Sequence, residues 1–399
     1  MRRYLTTLAE PDFRKLFLGA TASTLGDGMS FVALTWLVVS RPGGTLQLGL
    51  LVALYTAPVI VGGWLAGALL DRFDKRYVIA ADCTLRGAAF ALVPLTQLLG
   101  LQLDWLVFAV AALYGLFKMV PLAGFPSVIP DLVIDSNLDT ANALEGLSYS
   151  VAGVVGPALA GLLIPFIGAG NVMLIDAVSY FAFALLALAV HQALISTASS
   201  SPTATGWPQV VRLLVTDLPI VATTLAFMAF NIAEGMLMVT GPWLARVKLG
   251  GAAALGLLLS SLSAGELAGS AVAGGLSFKR PLLAIGGVSI IASLGFGLVY
   301  FTPVRPLVAL GYLVVGFFSA PMTVWAQSIR MRRLPPNVRG RAFAALRTLM
   351  QATPPIGAAA AAPLLAGGRF SMTVVAMVLL GAAPAAALLG IGLADGRER

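Results

Sequence analysis

The chain has 399 residues, of which 59% are hydrophobic and only 11% are charged, and its mean hydropathy is +0.93. Soluble domains carry about 25% charged residues, so this composition excludes an ordinary soluble protein and indicates one embedded in a membrane. The net charge is +8, and the single cysteine and single histidine exclude a disulfide framework and argue against a metal cluster built from these residues.

Twelve apolar runs, each with the length of a membrane-spanning helix, follow one another along the chain. A helix needs about 20 apolar residues to cross a bilayer, and in lipid such a run satisfies its backbone hydrogen bonds only as a helix. Strands of a membrane barrel would alternate in hydrophobicity over about 10 residues, which these runs do not do. The runs lie at residues 16–39, 46–70, 77–99, 105–128, 141–166, 171–192, 218–241, 252–275, 282–301, 306–329, 342–366 and 370–393. The sequence therefore predicts an all-α integral membrane protein with twelve transmembrane helices.

A polar stretch, LISTASSSPTATGWPQ at residues 194–209, divides the runs into two groups of six. We predict an N-terminal six-helix half at 1–192, a cytoplasmic linker at 193–217 and a C-terminal six-helix half at 218–399. Loops on the cytoplasmic side of a membrane are enriched in Lys and Arg. With the N-terminus in the cytoplasm, the cytoplasmic segments hold 17 of the 25 Lys and Arg residues and the outer loops hold five. Both termini are thus expected to be cytoplasmic, and the positive charge reflects topology rather than a nucleic-acid partner.

The two halves repeat the same sequence features. GDGMSFVALTWL at residues 26–37 returns 207 residues later as AEGMLMVTGPWL at 233–244, and this shift aligns Asp27 with Glu234. Further along, a shift of 201 residues pairs Gly115 with Gly316 and Gly156 with Gly357. Internal repeats of this kind are typical of secondary transporters, which bind substrate near the middle of the membrane.

The sequence GALLDRFDKR at residues 67–76 joins the second and third runs. It resembles the loop motif G-x-L-x-D-R-x-G-R-K/R of the major facilitator superfamily. The matching residues are Gly67, Leu69, Asp71, Arg72, Lys75 and Arg76, while Asp74 stands where that family usually has glycine. An Asp at this place can cap the start of the third helix. The resemblance implies two pseudo-symmetric six-helix bundles, and it implies that Asp71 helps to hold one state of an alternating-access cycle near a helix N-terminus, which favours an acid.

A second resemblance lies in the fifth run, SYSVAGVVGPALAGLL. Gly156, Pro157 and Gly161 match the motif G-P-x-x-G-G of drug exporters in this superfamily, with Ala160 in place of a glycine. The proline bends the helix and the small residues allow close approach, and we predict that the partner is the eighth helix, where GELAG lies at 265–269. The segments FRKLFLGATASTLGD and LDTANALEG are similar to the branch that contains macrolide exporters and the enterobactin exporter.

Charged residues inside a bilayer are costly and usually face water, a partner or a cavity. Asp27 lies near the middle of the first run, Lys118 in the fourth and Glu234 in the seventh. The resemblance implies that these helices line a central cavity, so we expect both acids to face it, with Lys118 as their counter-ion. An acid whose surroundings change from apolar to aqueous can bind and release a proton, so we predict that Asp27 carries the coupling proton and that Glu234 binds substrate. A structural hydrogen-bonding role for either acid, and snorkelling for Lys118, are the alternatives.

The other charged residues within the runs are expected to have structural or undefined roles. Asp82 and Arg86 are four apart on the third helix, a spacing that predicts a structural ion pair. Glu266 is central in the eighth run, and its role is left open. Glu145 and Asp176 lie near the ends of runs, where water reaches them, and we do not expect them to couple transport to protons.

Several enzyme signatures are missing from the sequence, namely HExxH, GxSxG, the Walker phosphate loop and GxGxxG. The sequence thus predicts no enzyme activity and no cofactor. The leading interpretation is proton-coupled export of an amphipathic small molecule across a bacterial cell membrane by a monomer whose partners are substrate, protons and the lipid bilayer. Export of an endogenous metabolite such as a siderophore, and a transporter-like receptor or scaffold without flux, are the alternatives.

Overall fold

The computed structural model of the chain describes residues 2–101, 103–194, 207–276 and 278–394. Every regular element in these residues is helical, and they comprise sixteen α-helices and one short 3-10 turn. Apolar runs in lipid must bond their own backbone groups, and a helix does so within a single segment. The predicted all-α architecture is confirmed in this respect.

The chain divides into two compact units. The first comprises Met1–Pro42 and Leu54–Ser199, and the second comprises Gly43–Ala53 and Ser200–Arg399. The first unit contains α1 (Arg2–Ala9), α2 (Pro11–Val39), part of α3 (Gly44–Thr56), α4 (Val59–Arg72), α5 (Lys75–Leu98), α6 (Asp104–Phe117), α7 (Met119–Leu132) and α8 (Leu138–Leu188). The second unit contains the rest of α3, α9 (Trp207–Thr216), α10 (Leu218–Val247), α11 (Ala252–Gly274), α12 (Pro281–Leu298), α13 (Arg305–Arg333), α14 (Pro336–Gln351), α15 (Pro354–Ala366) and α16 (Phe370–Ala394).

Ten helical segments of the described residues are long and apolar enough to cross a membrane. One of them, Asp135–Leu188, holds two helical arms of α8 that meet at Gly168, where a φ of 81° places the backbone in the left-handed region that favours glycine. The first arm precedes Gly168 and the second arm follows it, in agreement with the separate runs predicted there. The run predicted at 342–366 is divided between α14 and α15, and neither piece reaches 18 residues.

Two more predicted runs are interrupted near prolines. A short turn that contains Pro58 separates α3 from α4, and Lys118 stands alone between α6 and α7. Pro121 cannot donate the helical hydrogen bond to the carbonyl of Phe117, which weakens the helix at this place. The break puts Lys118 at an irregular point within an otherwise apolar segment.

The two units use equivalent glycines at equivalent helix crossings. In the first unit, a Cβ atom on Gly156 would lie only 2.7 Å from the carbonyl oxygen of Leu25, so glycine allows α2 and the first arm of α8 to pack this closely. In the second unit, Gly357 of α15 lies in the same way against the carbonyl of Ile232 in α10. Gly156 and Gly357 are partners in the predicted repeat, and Leu25 and Ile232 are 207 residues apart.

A second crossing is repeated in the same manner. A Cβ atom on Gly115 of α6 would lie 2.8 Å from the carbonyl oxygen of Tyr55, and Gly316 of α13 lies against the carbonyl of Leu262 in α11. Tyr55 and Leu262 are again 207 residues apart, although their side chains differ. The packing within each unit therefore supports the internal repeat, because equivalent backbone positions touch where the side chains differ.

The predicted contact between the Gly156 face and the eighth helix would join the two units, and it stays a prediction. The glycines of the GELAG segment at 265–269 lie against the backbone of α13 within the second unit. Gly156 lies against α2 within the first unit. Each stripe of small residues thus serves a close crossing inside its own unit, which the sequence spacing does not reveal.

Cysteine labelling tests the predicted topology. Cys83 is the only cysteine in the sequence and is buried, so a Cys83→Ser background permits single-cysteine labelling. In that background we expect Asp135→Cys to react with a membrane-impermeant maleimide only from the cytoplasm, and Asp104→Cys and Arg369→Cys only from outside, because Lys and Arg are concentrated in loops on the side of Asp135. All three positions are exposed. Reaction of Asp135→Cys in intact cells would contradict the orientation.

Candidate functional site

The first unit contains a cavity of about 260 Å³, here termed the Asp27 cavity. Asp27 lies near the midpoint of α2 and lines this cavity, as do Lys118 and Tyr149. Glycine, alanine, serine and threonine dominate the turns of α2 before Asp27, and their short side chains leave room beside the helix. The structure thus brings Asp27 and Lys118, two of the predicted site residues, to one cavity.

Asp27 is the end of a buried chain of polar side chains, here termed the Asp27 network. The hydroxyl of Tyr180 donates a hydrogen bond to Oδ1 of Asp27 and accepts one from Nη1 of Arg86 at 2.9 Å. Arg86 is fully buried, and its Nε and Nη2 donate to the two carboxylate oxygens of Asp82. The ion pair predicted within α5 is confirmed. It is not isolated, however, because Nη1 of Arg86 also lies 3.8 Å from Oδ1 of Asp27.

The expectation that water reaches Asp176 is wrong. Its side chain is fully buried in the second arm of α8, where it accepts hydrogen bonds from the hydroxyls of Ser30 and Ser179. A Cβ atom on Gly26 would collide with this carboxylate, so the glycine makes room for it against α2. Asp176 is buried because its side chain points between two helices, and its place along the run does not reveal that. Glu145 is partly exposed, as expected.

Lys118 lies beside two stacked aromatic rings. Its Nζ is 5.8 Å from the ring centroid of Tyr55 and 5.9 Å from that of Tyr114, and the two rings are 4.4 Å apart. The faces of aromatic rings attract a cation at such distances. The structure therefore places a positive charge at the Asp27 cavity, and the predicted counter-ion role of Lys118 stays a prediction.

The second unit contains a cavity of about 310 Å³, here termed the Glu234 cavity. Glu234 of α10 and Glu266 of α11 both line it, together with the rings of Phe227 and Phe230. The described residues that line it include no Lys, Arg or His. Two carboxylates without a basic neighbour, next to aromatic rings, form a surface that is complementary to an amphipathic cation. The role of Glu266, left open by the sequence, thus becomes that of a second acid at this cavity.

Whether Asp27 and Glu234 face one shared cavity stays a prediction. A buried arginine that the sequence did not reveal lies beside Phe227, one of the rings that line the Glu234 cavity. Arg330 was counted only as a topological charge, but it is buried, and its guanidinium lies 5.3 Å from the ring centroid of Phe227. Thr224 offers it a hydroxyl oxygen at 3.5 Å. Arg330 belongs to a cluster of arginines at the end of α13, and the sequence does not show which of these arginines is buried.

The loop motif at 67–76 ends α4 and begins α5. Asp71 and Arg72 are exposed, and a Cβ atom on Gly67 would meet open space. Lys75 is buried, and its Nζ donates a hydrogen bond of 3.1 Å to the backbone carbonyl of Ser127 in α7. The motif thus presents Asp71 at the surface of its unit, and the gating role of Asp71 stays a prediction.

Asp74, the departure from the family motif, caps α5 as predicted. Its Oδ1 accepts a hydrogen bond of 3.0 Å from the backbone N–H of Arg76, and the Arg76 guanidinium pairs with the same carboxylate at 2.7 Å. Arg76 also donates to the carbonyl of Val190, and the backbone N–H of Leu194 donates to Asp74. Burial raises the pKa of Asp74, but these hydrogen bonds outweigh burial and bring the pKa below its usual value. A carboxylate that stays ionised thus ties the segment that follows α8 to the motif.

The motif of the fifth run, Gly156, Pro157 and Gly161, lies in the first arm of α8. Gly156 packs on α2, and the ring of Pro157 lies 3.2 Å from the position of a Cβ atom on Gly28. Pro157 cannot donate the helical hydrogen bond to the carbonyl of Gly153, which lines the cavity of the first unit. Gly161 is buried one turn further on. The motif thus shapes the α2 side of that cavity.

The comparisons with known proteins agree with this architecture. The Major Facilitator Superfamily matches residues 16–358. The multidrug efflux pump Tap of Mycobacterium tuberculosis is 27% identical over 385 residues, which cover 92% of this chain and 90% of the pump. The enterobactin exporter EntS of Salmonella typhimurium is 25% identical over 373 residues, which cover 92% and 87% of the two chains.

Among solved structures, the nucleoside transporter NupG superposes with a TM-score of 0.74 at 12% identity, over 97% of this chain and 99% of NupG. At this identity the likeness concerns the fold alone. The family match spans most of the chain, and the relatives match nearly all of it. This chain is therefore a multi-pass membrane protein that belongs to the Major Facilitator Superfamily.

Proposed function

We propose that this chain is a secondary active transporter that exports amphipathic small molecules in exchange for protons. The observation that carries the proposal is Asp27, a carboxylate in the middle of a membrane helix that lines a cavity and shares a buried network with Arg86. An acid between water and buried polar partners can gain and lose a proton as its surroundings change. The similarity to a multidrug efflux pump supports export as the direction.

The proposed architecture has twelve spans with both termini in the cytoplasm. The two arms of α8 count as two spans and α14 with α15 counts as one, which brings the ten long segments to twelve. The proposed halves are residues 1–192 and 218–399, joined by the linker at 193–217, of which 195–206 lie outside the described residues. The halves of a monomer would expose the substrate site alternately to each side of the membrane.

The proposed roles follow from the two cavities. Asp27 carries the proton, with Lys118 as counter-ion, and Glu234 binds the substrate. Glu266 adds a second carboxylate to the Glu234 cavity, and Phe227 adds an aromatic face. A hydrophobic cation is attracted by both features, since the carboxylates offset its charge and the ring accepts its apolar surface.

Export of an endogenous metabolite such as a siderophore is the second candidate, and the similarity to the enterobactin exporter favours it. A panel of toxic compounds separates the two, because a drug exporter protects its host when it is overproduced and a dedicated metabolite exporter does not. A receptor or scaffold without flux is the third candidate. Flux in proteoliposomes under an imposed pH gradient would exclude it.

Glu234→Gln is expected to weaken binding of a cation and to spare binding of a neutral compound. Loss of a charge-assisted contact costs roughly 1.5–3 kcal/mol, so the Kd for ethidium should rise by about tenfold or more. Chloramphenicol, which is neutral, serves as the internal control and should bind with unchanged affinity. Fluorescence and equilibrium dialysis on the purified protein measure the two affinities. Equal losses for both compounds, or for neither, would contradict the role of Glu234, and Glu266→Gln tests the second acid in the same way.

A further inference from the structure

Arg86 has more partners than a single ion pair requires. Asp82 occupies its Nε and Nη2, and its Nη1 donates to the hydroxyl of Tyr180. A guanidinium can only donate hydrogen bonds, so the oxygen of Tyr180 must accept from Arg86, and the one hydroxyl hydrogen of Tyr180 must point elsewhere. It points at Oδ1 of Asp27. The direction of hydrogen bonding is therefore fixed from Arg86 through Tyr180 to Asp27.

This direction restricts where Asp27 can hold a proton. Oδ1 accepts the hydrogen of Tyr180 and lies 3.8 Å from Nη1 of Arg86. A carboxyl oxygen that accepts such a bond beside a positive charge is a poor place for a further proton. An incoming proton therefore binds to Oδ2, and it leaves from the same atom.

Asp82 allows Asp27 to become neutral. A buried charge that loses its only partner is strongly destabilising. Arg86 is fully buried, and its two-pronged pair with Asp82 uses Nε and Nη2, which do not contact Asp27. Protonation of Asp27 therefore removes one negative charge from the network without leaving Arg86 unpaired.

Other polar groups also face Asp27. One of them, Tyr114, also hydrogen-bonds Asp27, and its ring lies 6.0 Å from the Arg86 guanidinium. The groups that share its cavity or interact with its charge are Tyr55, Tyr114, Lys118, Tyr149 and Asp176. Asp176 accepts its bonds from two serines instead. The hydroxyl of Tyr180, by contrast, is hydrogen-bonded to both Arg86 and Asp27.

We propose that Asp82, Arg86 and Tyr180 form a positioning unit that confines proton exchange to Oδ2 of Asp27. The inference rests on the proposed function, in which Asp27 exchanges the coupling proton. In each cycle, a proton from water on the outer side binds to Oδ2 and is later released from Oδ2 to water on the cytoplasmic side. The Asp82–Arg86 pair stays ionised throughout, and Tyr180 keeps its hydrogen.

Tyr180→Phe tests this unit through the protons that ethidium displaces from the detergent-solubilised protein. Without the hydroxyl, Nη1 of Arg86 turns directly to Asp27 and competes with the proton. Proton release per bound ethidium is expected to fall by about fivefold or more, while ethidium still binds, because a single hydrogen-bonded link to a charged group is lost. Tyr312→Phe is the matched control, since it removes a buried hydroxyl that has no hydrogen-bond partner among the described residues. Wild-type proton release from Tyr180→Phe would overturn the proposal.

Infrared difference spectra between acid and alkaline buffer give a second measurement that needs no substrate. A carboxylic acid band that disappears in Asp27→Asn belongs to Asp27, and in Tyr180→Phe this band should weaken and shift to more acidic buffer, because Nη1 of Arg86 then competes with the proton. An unshifted band would overturn the proposal. If no band disappears in Asp27→Asn and that variant releases protons as wild type does, the proposed function itself fails.

Asp82→Asn tests the unit from its other end, should Tyr180→Phe yield too little folded protein. Among the described residues, Arg86 would then have Asp27 as its remaining carboxylate within 4 Å. Asp27 should be fixed as a carboxylate, and proton release should fall as in Tyr180→Phe. Proton release at the wild-type level from Asp82→Asn would contradict the positioning role.

Discussion

Asp27→Asn is expected to abolish proton-driven accumulation of ethidium in proteoliposomes, while exchange of ethidium without a gradient continues. Asparagine has the shape of aspartate and can still accept the hydrogen bond of Tyr180, but it cannot take up a proton. A difference of one pH unit is worth about 1.4 kcal/mol per proton, so the wild-type protein should accumulate ethidium about tenfold for each coupled proton. The variant should show none of this accumulation.

Asp104→Asn is the control for this experiment. Asp104 is an exposed acid whose ion pair with Arg41, at 3.0 Å, lies outside both cavities. Exposed ion pairs contribute about 0–1 kcal/mol, so this variant should accumulate ethidium as the wild type does. Tenfold accumulation by Asp27→Asn would assign the coupling proton to another residue, and Glu234 would be examined next.

Asp71→Asn is expected to cut ethidium transport by about tenfold or more at equal expression. We propose that Asp71 contributes its charge to a contact made in one state of the transport cycle. An acid at a helix N-terminus contributes up to about 2 kcal/mol, which is more than tenfold in an equilibrium between two states. Because Asp71 lines neither cavity, ethidium binding to the purified variant should be unchanged. A transport assay paired with a binding assay therefore isolates the gating step.

Asp135→Asn provides the matched control for Asp71→Asn. Asp135 is an exposed acid of the same unit, and its loop is predicted to lie on the same side of the membrane. Normal transport by both variants would remove Asp71 from the gate. A loss in both would point to the overall charge of the cytoplasmic face rather than to the motif.

The sequence predicted the fold well because the bilayer imposes one strong rule. An apolar run of about 20 residues must become a helix, so the runs located most of the helices. The shift of 207 residues also found equivalent helix crossings, as Leu25 and Ile232 show. What the runs could not reveal were breaks inside them, such as the one at Lys118, because hydropathy does not change where a helix is interrupted.

The candidate site was predicted only in part. Asp27 stood out because an acid in an apolar helix is costly, and Asp82 with Arg86 stood out because residues four apart face each other on a helix. The link between them was missed because Tyr180 is 153 residues from Asp27 and aromatic residues in membranes mostly pack. Asp176 was predicted to be exposed to water because it lies near the end of a run. The run does not show in which direction the side chain points.

The second unit illustrates the same limit. Glu234 was identified through its repeat partner, but Glu266 has no acidic counterpart 207 residues earlier, where Val59 stands. Its position at the Glu234 cavity follows from the packing of α10 beside α11, which is a tertiary property. An internal repeat identifies residues that both halves share, and it does not identify a functional residue that is present in one half only.

Simultaneous measurement of ethidium and proton fluxes in proteoliposomes tests the central claim, proton-coupled export, most directly. Wild-type protein is reconstituted with an acidic lumen, and a lumenal pH dye and ethidium fluorescence are followed together. Ethidium is expected to enter as the lumen becomes alkaline, and a protonophore, which collapses the pH gradient by itself, should stop ethidium uptake. Ethidium flux that is the same with and without the pH gradient, and that moves no protons, would contradict the account.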